Sequence, residues 1–159
     1  MKYLIDGYNV IKSSYLGKEG DLKGKLSLYQ ILDNYKANHL SVIFSVVLDG
    51  FNTSDFPFLR DKRIKTFFSG EITADEYIKK IVEKGKRNEE ITVVSDDKQV
   101  QMSSKLFGCN VMSVDKFLNT VNPKGNNKPK GPIEKNISYS KKKKIEEELK
   151  KHYELRKNT

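Results

Sequence analysis

Three acidic residues lie at the ends of apolar runs that predict buried strands. Asp6, Asp49 and Asp96 each come within two positions of the last apolar residue of a run rich in Ile, Leu and Val. The carboxyl ends of parallel strands meet at one edge of an open α/β sheet, where ligands bind, so these carboxylates are expected to lie close together. A fourth acid, Asp75, lies in the first turn of a predicted helix and can face the same edge.

Such a cluster of acids is expected to bind a metal ion. Carboxylates that are brought together raise each other's pKa, and a bound cation removes that cost. All-oxygen clusters suit Mg²⁺ or Mn²⁺, whereas zinc prefers His and Cys, of which the 159-residue chain has two and one. A hard divalent cation in turn points to phosphoryl chemistry, in which it activates water and neutralises charge at phosphorus.

Each acid also has a purely structural interpretation. An Asp-Gly pair such as the one at Asp49 is common in turns, and Asp75 would stabilise a helix dipole without any metal. Asp97 fits the N-cap of the helix that follows it and therefore ranks below Asp96 as a metal ligand. Ser95 either orients the Asp96 carboxylate or only ends its strand.

Asn9 follows Asp6 by three residues, on the predicted turn that leaves the first strand. Its amide would bind a phosphate oxygen or a metal-bound water, or it forms an Asx turn. The sequence has neither Gly-x-Gly-x-x-Gly nor Gly-x-x-x-x-Gly-Lys, so it gives no support for a nucleotide cofactor. No apolar run approaches the ~18 residues of a membrane span, and an acid at position 6 comes too early for a signal peptide. We expect a soluble cytoplasmic protein.

The predicted strands and helices that must position these acids alternate along the chain. Apolar runs predict five strands, at 3–5, 42–48, 64–68, 91–94 and 110–112. Helical spacing and end signals predict four helices: at 21–38, from a capping box at Thr73 to about 85, at 98–107, and after Ser113. This alternation predicts an α/β domain whose mostly parallel central sheet is flanked by helices.

The positive charge is concentrated at the end of the chain. Residues 123–159 carry +7 of the net +9, on a Pro-containing linker and a charged helix predicted over 140–157. We therefore divide the chain into a domain at 1–122 and a basic extension at 123–159. A concentrated basic segment suits a polyanion, here RNA, although it would also serve as a solubilising tail. The likeliest RNA contacts are the four adjacent lysines Lys141, Lys142, Lys143 and Lys144.

Several segments, in order, resemble the YacP-like branch of the NYN domains, a family of PIN-like nucleases. The opening run YLIDGYNVI at 3–11 is the most specific of them. The others are VLDG at 47–50, TADE at 73–76, VVSD at 93–96, Gln101, and the stretch from Phe107 to Phe117.

The resemblance implies a PIN-like fold and a metal-dependent ribonuclease with one or two Mg²⁺ or Mn²⁺ ions. It places Asp6, Asp49, Asp75 and Asp96 at the metal, with Asn9 beside them, and we take Asp6 and Asp96 as the central ligands. YacP-like proteins are also similar to a ribosome-associated endoribonuclease that cuts mRNA during translation, so ribosomal RNA would be a partner of the basic extension. The alternatives are an RNA- or ribosome-binding adaptor with a weak nuclease-like pocket and, more remotely, a small-molecule phosphohydrolase.

Overall fold

The computed structural model describes residues 1–51, 64–123 and 147. Within these ranges five parallel strands form one sheet: β1 Lys2–Asp6, β2 Ile43–Leu48, β3 Ile64–Phe68, β4 Ile91–Val94 and β5 Asn110–Met112. Five α-helices pack on it: α1 Gly7–Lys12, α2 Asp21–Asn38, α3 Ala74–Lys84, α4 Lys98–Leu106 and α5 Val114–Val121. Short 3₁₀ helices occupy Tyr15–Glu19 and Asn88–Glu90.

The strand order β3-β2-β1-β4-β5 puts β1 at the centre of the sheet. Asp6, at the end of β1, is in register with Val47 near the end of β2. On the other side of β1, Ile5 is in register with Val94, the last residue of β4. The strands that precede the three predicted strand-end acids are therefore neighbours and end at the same edge of the sheet.

Alternate residues of each strand pack on opposite faces of the sheet, because side chains alternate along a strand. Tyr3 and Ile5 join the larger core beneath α1, α2 and α5, where Phe44 and Phe117 are fully buried. Leu4 joins the second core beneath α3 and α4. Burial on both faces explains why the strands read as continuous apolar runs.

All five predicted strands and the four predicted helices are confirmed, with end points that differ by only one or two residues in most cases. The capping box at Thr73 is confirmed, and so is the N-cap at Ser113. Gly108, with φ +85°, follows the last turn of α4 as its sequence position predicted. The prediction missed α1: residues 7–12 are too few to show helical periodicity, and they begin with glycine, a poor helix former.

The described residues contain no helix that is long and apolar enough to cross a membrane. The helix predicted over 140–157 and the four lysines at 141–144 lie outside the described residues. The domain boundary at 122 stays a prediction; α5 ends at Val121, and the Asn122 side chain donates a hydrogen bond to the Tyr15 hydroxyl at 3.1 Å.

Candidate active site

Four predicted site acids, Asp6, Asp49, Asp75 and Asp96, belong to the carboxyl edge of the sheet, here called the acidic edge. Asp6 is its buried member. Its side chain caps α1, because Oδ1 accepts a hydrogen bond from the Asn9 N–H at 3.0 Å. The residue is only 3% exposed. Gly7 brings α1 this close: a Cβ there would lie 2.7 Å from Leu48 Cδ2 and 3.0 Å from the Val47 carbonyl oxygen. The position therefore has no room for a side chain unless β2 moves.

The carboxyl group of Asp75, half-buried in the first turn of α3, lies close enough to Asp6 to raise the pKa of Asp6 through charge repulsion and a side-chain hydrogen bond. Burial is the main reason that the pKa of Asp6 rises to about 7. The hydrogen bond from the Asn9 N–H opposes this rise, whereas Asp75 and then Asp49 add to it. Two carboxyl groups form such a hydrogen bond only when one of them holds a proton or when something else neutralises them.

Asp49 lies on the exposed rim of the site, after β2. Its Oδ1 accepts a hydrogen bond from the Ala74 N–H at 2.8 Å, which ties the end of β2 to the start of α3. This contact holds Asp75, the next residue, beside the strand ends. Asp49 therefore has a structural role in addition to the metal-binding role that was predicted for it.

Asp96 is also exposed, and its carboxylate accepts a hydrogen bond from the backbone. Its Oδ1 accepts a hydrogen bond from the Val114 N–H at 2.9 Å, and its own N–H donates to Asn9 Oδ1 at 2.8 Å. Asn9 thus lies in α1 rather than on a turn, and its oxygen is already engaged. Of the other acids, Asp75 and then Asp49 influence the pKa of Asp6, and the central place that our sequence analysis gave to Asp96 beside Asp6 stays a prediction.

The loop after β4 is held by its own side chains. Asp97 is the N-cap of α4, with Oδ1 accepting from the Val100 N–H at 2.9 Å, as the structural interpretation predicted. The buried Ser95 hydroxyl accepts from the Asp97 N–H at 3.1 Å, so this contact does not orient the Asp96 carboxylate. Gln101 donates from Nε2 to the Ser95 carbonyl at 2.6 Å and steadies the same loop.

The donors fit a hard divalent cation at the Asp6–Asp75 pair. The set consists of carboxylate oxygens, and burial together with the neighbouring carboxyl groups of Asp75 and Asp49 opposes the ionisation of Asp6. Across residues 1–51 and 64–123, no three Asp, Glu, His or Cys side chains converge closely enough to form a ready-made metal site. Asp49 and Asp96 would each have to offer the oxygen that does not accept the backbone hydrogen bond.

Sequence reasoning overlooked two residues beside the site, Tyr8 and Lys12. Tyr8 lies between Asp6 and Asn9 in the chain, and its ring is 47% exposed. The Lys12 ammonium lies over that ring, with Nζ 5.7 Å from the ring centroid. In the sequence, the aromatic residue directly after the Asp-Gly pair was the only signal that pointed to Tyr8. The helical geometry of α1 then places Lys12 next to it.

Comparison with known protein families shows to which family the chain belongs. The YacP-like NYN domain matches residues 3–157. The chain belongs to the YacP-like NYN domain family. A comparison with curated proteins finds no match. YacP-like NYN domains have a PIN-like nuclease fold, which supports a nuclease-like, RNA-related function for the chain.

Two crystal structures of Rae1 (YacP) from Bacillus subtilis are similar to this YacP-like chain. One is 20% identical with a TM-score of 0.60, and the match covers 99% of this chain and 84% of that one. The other, a tryptophan-to-leucine mutant, is 24% identical with a TM-score of 0.59, and the match covers 77% and 75% of the two chains. At these identities the likeness shows the fold alone.

Proposed function

We propose that this protein is a metal-dependent endoribonuclease that hydrolyses RNA phosphodiester bonds. The observation that carries the proposal is the buried Asp6 carboxyl at the carboxyl edge of a PIN-like sheet, with Asp75 and Asp49 close enough to raise its pKa. Placing an acid in such surroundings is costly, because burial and a neighbouring carboxyl group both oppose its ionisation. A role for its charge in holding a cation accounts for that cost.

Asp6 and Asp75 would hold Mg²⁺ or Mn²⁺, with Asp49 and Asp96 contributing directly or through water. When bound, the ion supplies charge neutralisation at the phosphorus and activation of a water. In hydrolysis the water oxygen forms a new bond to phosphorus, and one P–O bond to ribose breaks. The Asn9 amide oxygen is engaged by the Asp96 N–H, so its NH₂ group is the part that offers donors to a phosphate oxygen.

The test is cleavage of an end-labelled single-stranded RNA with Mg²⁺ or Mn²⁺ supplied. We expect cutting by the wild type, none in EDTA, and none by Asp6→Asn or Asp75→Asn. Asp115→Asn is the matched control, since Asp115 is an exposed acid in the first turn of α5, outside the cluster. Mn²⁺ binding, measured by calorimetry, should weaken in both site variants and stay unchanged in the control. Full activity of Asp6→Asn would refute the proposal.

We further propose that the natural substrate is mRNA on the ribosome. The family supports an RNA substrate, and the +7 charge of residues 123–159 suits ribosomal RNA as a binding partner. Mapping cut sites in translated and untranslated copies of one mRNA, for the wild type and Asp6→Asn, tests it. Cuts confined to the translated copy support the ribosome as the platform, and equal cutting of both copies argues against it.

One observation favours a second candidate, a catalytically weak adaptor that binds RNA or ribosomes. Asp49 and Asp96 each use one carboxylate oxygen to accept a hydrogen bond from a backbone N–H. The described residues do not form a ready-made three-acid metal site. An adaptor would bind RNA equally well in the wild type and in Asp6→Asn, and would show no cleavage with either metal. The cleavage and calorimetry experiments above separate the two candidates.

A further inference from the structure

The Tyr8 ring is presented outward from a rigid base. Val10 and Ile11, further along α1, are buried in the larger core, and the start of the helix is pressed against β2. Tyr8 is 47% exposed on that anchored helix, between the two site residues Asp6 and Asn9 in the chain. Its ring is therefore exposed on an anchored helix that starts directly after Asp6, without itself being part of the core.

Within residues 1–51 and 64–123, the Tyr8 ring contacts a cation and no other aromatic ring. Lys12 lies one helical turn on, and its Nζ is 5.7 Å from the ring centroid. Lys12 is itself exposed. An exposed aromatic face beside a lysine has the two features that bind a single-stranded nucleotide, a stacking surface for the base and a positive charge for the phosphate.

Among the residues that the structure describes, no other exposed large apolar side chain has this combination. Met102 and Leu106 are aliphatic and lie one turn apart on α4, so they offer no aromatic ring on which a base would stack. Phe51 is aromatic and exposed, but its ring lies against Gly70, and within the described residues no cation is placed over it. The pairing of an open ring with a cation next to a site acid distinguishes Tyr8.

We propose that Tyr8 and Lys12 form a nucleotide subsite of the candidate active site. An unpaired base of single-stranded RNA stacks on the Tyr8 ring, and a phosphate of the same strand lies at the Lys12 ammonium. This subsite holds the strand across the acidic edge and favours unpaired RNA over a duplex, because a paired base does not expose its face. The inference rests on the proposed ribonuclease function.

The test is binding of a short fluorescein-labelled single-stranded RNA to the full-length protein, measured by anisotropy in EDTA so that no metal-dependent cleavage occurs. Base stacking on an aromatic residue is worth about 5- to 150-fold in affinity. We expect Tyr8→Ala to raise Kd by a factor in that range, and Tyr8→Phe to stay within about threefold of the wild type. Raised salt should enlarge the relative effect, since it weakens the phosphate contacts of the basic extension.

A second measurement separates stacking from a structural role. A set of RNAs is made, each with one base removed at a different position. For one position, we expect removal of the base to weaken binding to the wild type but to leave binding to Tyr8→Ala unchanged. Leu106→Ala, which truncates an exposed apolar side chain on α4, is the control and should bind as the wild type. If the wild type binds RNA and Tyr8→Ala binds it equally well, the subsite is refuted while the ribonuclease proposal stands. If the wild type binds no RNA in EDTA, the subsite is refuted, and the cleavage experiment with Mg²⁺ or Mn²⁺ decides the ribonuclease proposal separately.

Discussion

Asn9 Oδ1 accepts a hydrogen bond from the backbone N–H of Asp96 at 2.8 Å, across 87 positions of sequence. The Asn9 N–H donates in turn to Asp6 Oδ1, and Asp96 Oδ1 accepts from the Val114 N–H. These three hydrogen bonds connect the ends of β1 and β4 to the start of α5. Asn9 therefore sets the position of the Asp96 loop relative to the buried acid.

Two replacements of Asn9 separate its anchoring role from its proposed phosphate contact. Asn9→Ala removes the acceptor for the Asp96 N–H and should cost about 1 kcal/mol of unfolding free energy, as loss of one hydrogen bond does. Asn9→Asp keeps an acceptor and should retain most of that stability, but it loses the NH₂ donors and adds a charge that repels phosphate. We expect both variants to lose activity, measured as kcat/KM on RNA. An Asn9→Asp enzyme as active as the wild type would show that the NH₂ group does not contact the substrate.

The metal-free protein should lose stability as the pH rises from about 4 to about 7. Burial raises the pKa of Asp6 from 3.8 to about 7 in the folded state, so the folded protein keeps a proton that the unfolded chain releases in this interval. The contribution is present below the unfolded pKa and is lost as the pH passes through the folded one. At about 1.4 kcal/mol per pKa unit, the loss amounts to a few kcal/mol.

Urea unfolding in EDTA at about pH 5 to 8 measures this effect as the difference between the wild type and Asp6→Asn. The variant retains an oxygen that can cap α1 but has no group to titrate. Its curve should therefore be flatter and should lie above that of the wild type near pH 8. Parallel curves would show that the Asp6 pKa is close to its ordinary value.

Variants of Asp75 and Glu76, two neighbouring residues in the first turn of α3, should separate catalysis from helix capping. Glu76 donates its N–H to Thr73 Oγ1 and accepts from the Thr73 N–H, both at 3.2 Å, and Glu76→Gln can keep both bonds. This variant should retain activity and stability. Asp75→Asn should lose most activity, yet it should be at least as stable without metal, because its amide can donate to an ionised Asp6. The measurements are RNA cleavage and thermal unfolding, and an inactive Glu76→Gln would reverse the assignment.

Deleting residues 123–159 should leave residues 1–122 folded but weaken RNA or ribosome binding. The deletion removes +7 of the +9 charge. On single-stranded RNA the log–log salt dependence of binding has a slope of about −0.7 per phosphate neutralised, so losing three contacts flattens it by about two. Replacing the lysines at 141–144 by glutamine should reproduce part of this change. Equal slopes with a large loss of thermal stability would instead make the extension part of the fold.

The sequence alone was enough to predict the sheet and most of its helices. Buried parallel strands such as β1 and β2 must be continuously apolar, and a helix such as α3 begins at a capping box that can be read from four letters. These are local signals, and each can be recognised from a few adjacent residues without knowledge of the rest of the chain. The same reasoning selected Asp6, Asp49 and Asp96, since a residue that follows a buried strand lies at the edge of the sheet.

What the sequence could not decide is which acid faces which. Asp75 lies close enough to Asp6 to raise its pKa, while Asp96 accepts a hydrogen bond from the backbone of α5. Both facts depend on how α3 and α5 pack, not on spacing along the chain. The short helix α1 was also invisible, because it is held by the Asp6 cap and by the close approach of Gly7 to β2 rather than by its own propensity. Residue types thus determined the kind of chemistry, whereas contacts between elements distant in sequence determined its geometry.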